Sequence, residues 1–107
     1  MPHEQIFQYV LISSNNQPIS QNQFQQFFNS INEHSEKHDF AQMIHLSDIS
    51  LKKLTIKNIE YSGIFIPFHK DRFEDLTALN WYLKTLCSKY NLVVFQLIMP
   101  DGSLVGM

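Results

Sequence analysis

The hydrophobic residues of this chain are grouped in short runs whose spacing predicts alternating strands and helices. Runs that alternate with polar residues, or that are almost continuous, predict strands. They cover residues 6–12, 40–46, 57–68 and 92–99. Residues 47–54 have a cap-like start and indicate a helical turn or a loop. The Pro-Asp-Gly sequence at 100–102 is a turn signal, after which residues 103–107 can add a short strand.

A first amphipathic helix is predicted from residue 20 to about residue 37. Ser20 is a suitable N-cap, and Gln23 completes a capping box with it. The residues that follow recur on one helical face: Phe24, Phe27, Phe28 and Ile31. We expect this face to be buried.

A second amphipathic helix is predicted from Asp71, its N-cap, to about Lys89, with Asn91 as a left-handed terminator. Its leucine stripe consists of Leu76, Leu79, Leu83, Leu86, Cys87 and Tyr90. Glu74 and Asp75 lie in the first turn, where the helix dipole favours acidic residues. Capping therefore explains these carboxylates better than a metal site or a general base does.

The predicted elements follow the order strand, helix, strand, strand, helix, strand, with an optional terminal hairpin. This order resembles that of ferredoxin-like folds, which contain a split β-α-β unit. Because each helix has one apolar stripe, we predict that both pack on one face of a four- to five-stranded, mainly antiparallel sheet. Residues 1–107 are predicted to form one α+β domain.

Composition narrows the classes of protein to which this domain can belong. The chain has 107 residues, a formal net charge of -2 and 17% charged residues, which disfavours binding to polyanions. A single cysteine cannot make an internal disulfide, and no apolar run reaches the roughly 20 residues that cross a bilayer. The first residues lack the pattern of a signal peptide. We therefore expect a cytoplasmic protein with no membrane partner.

Histidines and the cysteine are the residues that suggest metal binding or catalysis. His34 and His38 have the spacing that places two imidazoles on one side of a helix, which makes them weak candidates for a shared zinc ion. A third ligand would have to be His45, His69 or Cys87. Histidines near a helix C-terminus are, however, favoured by the dipole alone, and a thiol on the leucine stripe is unreactive. We predict no metal, no cofactor and no catalytic residues.

Aromatic residues outside the predicted core are the candidates for binding another protein. Trp81 falls well away from the leucine stripe and Tyr82 lies near its flank. Both are predicted to contact a partner, unless the 47–56 segment folds over Trp81. Glu74 and Asp75 are added to this surface, since carboxylates can mimic phosphates if the partner acts on nucleic acid.

Three aromatic residues in the 57–68 strand suggest a different partner. RNA-binding sheets with this order of elements stack bases on such rings, which here are Tyr61, Phe65 and Phe68. The basic residues near them are few: Lys52, Lys53 and Lys57. The aromatic-basic signature of that RNA-binding module is absent, so nucleic acid is the less favoured partner.

The sequence thus predicts a small non-enzymatic protein-binding domain, acting as an inhibitor, an immunity protein or an adaptor of another macromolecule. A small-ligand-binding regulatory module, with its ligand near residues 13–18, is the alternative. An RNA-binding ferredoxin-like domain is less favoured than either. A homodimer formed through an edge of the sheet is a further alternative.

Overall fold

The residues that the structure describes form one antiparallel sheet, two α-helices and a short 3₁₀ helix, Leu46–Asp48. The computed structural model describes residues 5–15, 17–37, 43–69 and 73–106, with the backbone alone at residues 56 and 73–75. The elements are β1 (Phe7–Ser13), α1 (Gln21–His34), β2 (Ser50–Ile56), β3 (Ile59–Phe68), α2 (Phe73–Lys89), β4 (Leu92–Ile98) and β5 (Leu104–Gly106). The predicted α+β class with two helices and a five-stranded antiparallel sheet is confirmed.

The strands lie side by side in the order β2-β3-β1-β4-β5. At the centre of the sheet, Tyr9 of β1 is paired with Ile66 of β3 and with Leu97 of β4. Because paired residues of neighbouring strands point to the same side, these registers divide the strand residues into two faces. One face contacts the helices, and the opposite face is called the open face below.

The core lies between the sheet and the two helices. β1, β3 and β4 contribute Phe7, Tyr9, Leu11, Ile64, Ile66, Phe68, Leu92, Val94 and Leu97. The helices contribute Phe27, Ile31, Leu79, Tyr82, Leu83, Leu86 and Cys87 to the same cluster. Aromatic rings are stacked within it, with the Tyr9 and Phe68 centroids 4.9 Å apart. The prediction that both helices cover one face is therefore confirmed.

Side-chain hydrogen bonds fix the ends of α1. Ser20 is its N-cap, as predicted, with Oγ accepting from the backbone N–H of Gln23 at 3.0 Å. The reciprocal half of the capping box is replaced, because the Gln23 amide donates to the carbonyl of Tyr90 at 2.8 Å. This bond ties the start of α1 to the end of α2. The helix ends at His34, earlier than predicted, and residues 35–37 form turns.

The second predicted strand is wrong in position. Of residues 40–46, the first three lie outside the described residues, and Ile44 makes only an isolated bridge with Phe68. The helical turn predicted for the segment 47–54 is confirmed only at its start, by the 3₁₀ helix Leu46–Asp48. The strand is instead β2, which takes up most of that segment. The reason is the turn that follows: Lys57 and Asn58 both have left-handed backbone angles (φ 51° and 67°), as a tight two-residue hairpin requires. This turn pairs β2 with β3.

At the other helix, Asn91 has a φ of 58° and is the left-handed terminator that the sequence predicts. The predicted N-cap Asp71 lies outside the described residues. Almost continuous apolar runs are typical of strands buried on both faces, but β4 is covered on one face only, since Val93 is 41% exposed. Both helices pack on the opposite face, so residues such as Val93 remain on the open face.

Candidate binding surfaces

Trp81 lies in the middle of the exposed side of α2. Its side chain is 67% exposed. The neighbouring residues on this side are small or polar and are all exposed: Thr77, Ala78, Lys84, Thr85 and Ser88. We call these residues together with Trp81 the Trp81 surface. The 47–56 segment does not cover the indole, because most of it forms β2 at the edge of the sheet.

The backbone beneath the Trp81 surface is fixed by packing. The opposite side of α2 consists of core residues, with Leu79 and Leu83 fully buried. On the exposed side, the Thr85 hydroxyl donates to the carbonyl of Trp81 at 2.9 Å. A partner that contacts the indole therefore meets an ordered helix, which lowers the entropy cost of binding.

Tyr82 is part of the core, which corrects its predicted position on the flank. It is 7% exposed, because it lies one turn from both Leu79 and Leu86. Its hydroxyl is 2.8 Å from Nδ1 of His34, and the two rings meet edge to face at 5.6 Å. Burial, with a smaller effect of Tyr90, raises the pKa of Tyr82 to about 12. Little of this ring is accessible to a partner of the Trp81 surface.

The acidic residues predicted for partner binding are only partly described. Glu74 and Asp75 lie in the first turn of α2, next to Phe73 at its start, and their side chains are outside the described part of the structure. Their role in binding therefore stays a prediction.

The predicted histidine pair of α1 is placed only in part. His34 is half-buried against Tyr82, while His38 lies outside the described residues. Among the residues that are described, no group of three or more His, Cys, Asp or Glu side chains could hold a metal ion. His45 and His69 do meet, at 2.8 Å between ring nitrogens. Their separation in sequence gave no signal for this contact.

Cys87 is a core residue, as its position on the leucine stripe predicts. It is 1% exposed, and burial raises the pKa of its thiol to about 12. Since the thiolate is the reactive form, this thiol is unsuited to nucleophilic chemistry.

The open face of the sheet carries its own group of aromatic residues. Tyr61 of β3 and Phe95 of β4 are stacked with centroids 6.2 Å apart, although β1 lies between their strands. Their contact across β1 helps to explain why Val10 and Ile12, which lie on the open face of β1, are only 1% and 7% exposed. The Lys52 ammonium lies 5.6 Å from the centre of the Phe65 ring. Phe68, the third residue proposed for base stacking, is instead fully buried on the helix side.

Gly63 allows this open face to pack closely. A Cβ atom at this position would lie 2.7 Å from Cδ2 of Leu54 and 3.4 Å from side-chain atoms of Phe65 and Val10. A glycine inside a strand often marks such a close approach.

Two clefts border the loop at residues 13–18, where the alternative hypothesis placed a small ligand. One, of about 270 Å³, lies against residues 89–91 and is lined by Gln23, Gln26 and Tyr90 among others. The other, of about 230 Å³, lies towards Lys53 and Tyr61. Both are below the roughly 300–1,000 Å³ of typical ligand pockets, and both have many polar lining residues. The clefts thus give little support to a small-ligand site.

The two edges of the sheet differ in charge. The β2 edge contains Lys52 and Lys53, and Lys53 forms an exposed ion pair with Glu60 at 3.4 Å. The β5 edge contains Leu104 and Val105, which are 59% and 43% exposed. Because charged residues protect sheet edges from pairing with another chain, β5 is the edge better suited to association.

Comparison with models of protein families, with curated proteins and with solved structures finds no match to this chain. In the described part of the structure, neither helix combines the length and the apolarity that crossing a bilayer requires.

Proposed function

We propose that this protein is a non-enzymatic domain that binds another protein through the Trp81 surface, as an inhibitor, an immunity protein or an adaptor. The observation that carries the proposal is the 67% exposure of the Trp81 side chain on an ordered helix. Tryptophan is the residue type most enriched among the few that dominate binding energy at protein interfaces. Its small and polar neighbours would form the rim that excludes water around such an anchor.

The charge of the Trp81 surface also favours a protein partner. Lys84 is its one charged residue, and the other members are neutral. A surface of this kind offers little to a polyanion, whereas an aromatic ring with few charges around it is typical of the centre of a protein interface. The cytoplasm remains the proposed location, in line with a lone, buried cysteine.

The proposal is tested with the tagged protein, Trp81→Ala and Ile59→Ala. Ile59, which is 55% exposed in the β2–β3 hairpin, provides a matched loss of exposed apolar surface elsewhere. We expect the unaltered protein and Ile59→Ala to retain the same stoichiometric partner from extracts of the source cell, and Trp81→Ala to lose it. Thermal unfolding of both variants should stay close to that of the unaltered protein, because exposed positions contribute little to stability. Equal capture by all three proteins would contradict the proposal, as would stabilisation by small metabolites with no protein partner.

Binding of single-stranded RNA on the open face is a second candidate function, supported by one observation. The rings of Tyr61, Phe65 and Phe95 lie on this face near Lys52, and the strand residues that the described registers assign to it include no carboxylate. Anisotropy of a labelled oligoribonucleotide tests this candidate. Binding that Tyr61→Ala weakens and Trp81→Ala leaves intact would favour RNA over a protein partner.

We also propose that the fold is a ferredoxin-like arrangement with one added strand. In support, β1 and β3 are central, β2 and β4 flank them, and each helix connects two strands that are separated by a third. In this proposal β5 is an addition at one edge. Deletion of residues 103–107 should then leave a cooperatively unfolding domain, and loss of cooperativity would contradict it.

A homodimer would use the β5 edge in this scheme. The bonded pairs of β4 and β5 alternate from Met99–Ser103 to Leu97–Val105, so the N–H of Leu104 points to the free edge. Leu104→Pro removes this donor and should abolish a dimer detected by light scattering. A dimer that persists in this variant would have to form elsewhere.

A further inference from the structure

His45 and His69 are brought together by backbone pairing at the end of β3. The N–H of His45 donates to the carbonyl of Pro67 at 2.9 Å, and the N–H of His69 donates to the carbonyl of Met43 at 3.1 Å. Between these two bonds lies the bridge from Ile44 to Phe68, both of which are buried. The two histidine backbones are therefore held on adjacent segments by the core itself.

The side chains of the two histidines converge. Nε2 of His45 lies 2.8 Å from Nδ1 of His69, and the ring centroids are 5.1 Å apart with an angle of 57° between the planes. Both residues are half-buried. Neutral imidazole is the most common nitrogen ligand for metals in proteins.

We propose that His45 and His69 form a two-imidazole site for a divalent transition metal that favours tetragonal coordination, Cu²⁺ or Ni²⁺. Two nitrogens bound at about 2.0 Å and at right angles to one another are about 2.8 Å apart, whereas a tetrahedral angle requires about 3.3 Å. The hydrogen bond holds the two nitrogens 2.8 Å apart, within reach of one ion, and among these divalent ions Cu²⁺ binds nitrogen ligands most tightly. Coordination replaces the hydrogen bond between the rings, and the proton of that bond moves to the outer nitrogen of its own ring.

The site provides two protein ligands, so other coordination positions are left to water or to a further ligand. Within the described residues, no third His, Cys, Asp or Glu completes a larger group with this pair. An open site of this kind exchanges its metal more readily than a closed structural site. Protons compete with metals for imidazole, so binding weakens in acid.

The test uses Cu²⁺ as the probe and three variants of the full chain: His45→Gln, His69→Gln and His34→Gln. The last is the matched control, since His34 is also half-buried and is hydrogen-bonded to a side chain outside this pair. By calorimetric titration we expect either variant of the pair to weaken Cu²⁺ binding at least about tenfold, and His34→Gln to leave it unchanged. Electron paramagnetic resonance of the copper-loaded protein should show coupling of the copper to two nitrogens. In His45→Gln the number of coupled nitrogens should be lower.

Thermal unfolding separates a built site from adventitious binding. Cu²⁺ bound to the folded state should raise the Tm of the unaltered protein and of His34→Gln, but not that of the pair variants. Cooperative unfolding without metal shows that each variant is folded. Equal affinity in all four proteins, a spectrum with a single nitrogen, or no rise in Tm would overturn the proposal.

Discussion

Two tyrosine hydroxyls in the core are predicted to have opposite effects on stability. Tyr9 is fully buried, and its hydroxyl has no hydrogen-bond partner among the described residues. The hydroxyl of Tyr82, by contrast, is bonded to His34 at 2.8 Å. The substitutions Tyr9→Phe and Tyr82→Phe remove the same atom from these two environments and are controls for one another.

The magnitude follows from the cost of an unpaired buried group. An unpaired buried hydroxyl lowers the free energy of unfolding by about 1–3 kcal/mol, and its removal leaves a small void that offsets part of the gain. Tyr9→Phe should therefore stabilise the folded protein by about 1 kcal/mol. With about 2.1 cal/mol/K of unfolding entropy per residue, a chain of 107 residues gains about 4 °C in Tm. Tyr82→Phe loses a hydrogen bond worth about 1 kcal/mol and should lower Tm by a similar amount.

Alkaline pH provides an independent readout for Tyr9. Burial raises the pKa of Tyr9 to about 12, whereas a tyrosine in the unfolded chain ionises near its ordinary value of 10.0. Between these values the unfolded state releases its proton first, so stability falls as pH rises. Tyr9→Phe does not have this loss of stability. The excess of its free energy of unfolding over that of the unaltered protein should therefore grow between pH 10 and 12.

Calorimetry or urea unfolding at pH 7, repeated at several alkaline pH values, measures both effects. If Tyr9→Phe lowers Tm as much as Tyr82→Phe does, the Tyr9 hydroxyl has a partner and the reasoning is refuted. If the difference in stability between Tyr9→Phe and the unaltered protein stays constant above pH 10, the prediction for alkaline pH is contradicted.

Three further predictions concern the helix ends and the core thiol. Ser20→Ala removes the N-cap bond of α1 and should lower the free energy of unfolding by about 1 kcal/mol in urea, with Ser14→Ala, in an exposed turn, as a nearly neutral control. Asn91→Ala should cost about 1 kcal/mol in the same assay, because alanine tolerates the φ of 58° less well than asparagine, and an unchanged midpoint would contradict this. Cys87 is 1% exposed and should react with a thiol reagent only as fast as the protein opens, so rapid labelling of the folded protein would show that it is not buried.

Elements with a strong local pattern could be predicted from the sequence. The aromatic face of α1, the leucine stripe of α2 and the left-handed Asn91 all depend on residues close in the chain. β2 was misplaced because its turn uses Lys57 and Asn58, whose left-handed angles have no strong signature without glycine. The pairing of this hairpin, and not the apolar pattern, decides where the strand lies.

Among the candidate binding residues, too, features set by local spacing could be predicted and contacts made by the tertiary fold could not. The exposure of Trp81 and the burial of Tyr82 both follow from helical periodicity, but the hydrogen bond of Tyr82 with His34 of the other helix does not. The stacking of Tyr61 on Phe95 across β1, and the meeting of His45 with His69, are likewise products of the tertiary fold. No spacing along the chain indicates such contacts.

The sole tryptophan of the chain allows a direct test of the central claim. Quenching of Trp81 fluorescence by acrylamide is measured in the free protein and again after the captured partner is added. Tyr9→Phe and Tyr82→Phe, once shown to keep the fold, are the reference proteins. The 67% exposure predicts strong quenching in the free protein, close to that of unfolded chain, and marked protection in the complex. Weak quenching in the free protein, or quenching that the partner leaves unchanged, would contradict binding through the Trp81 surface.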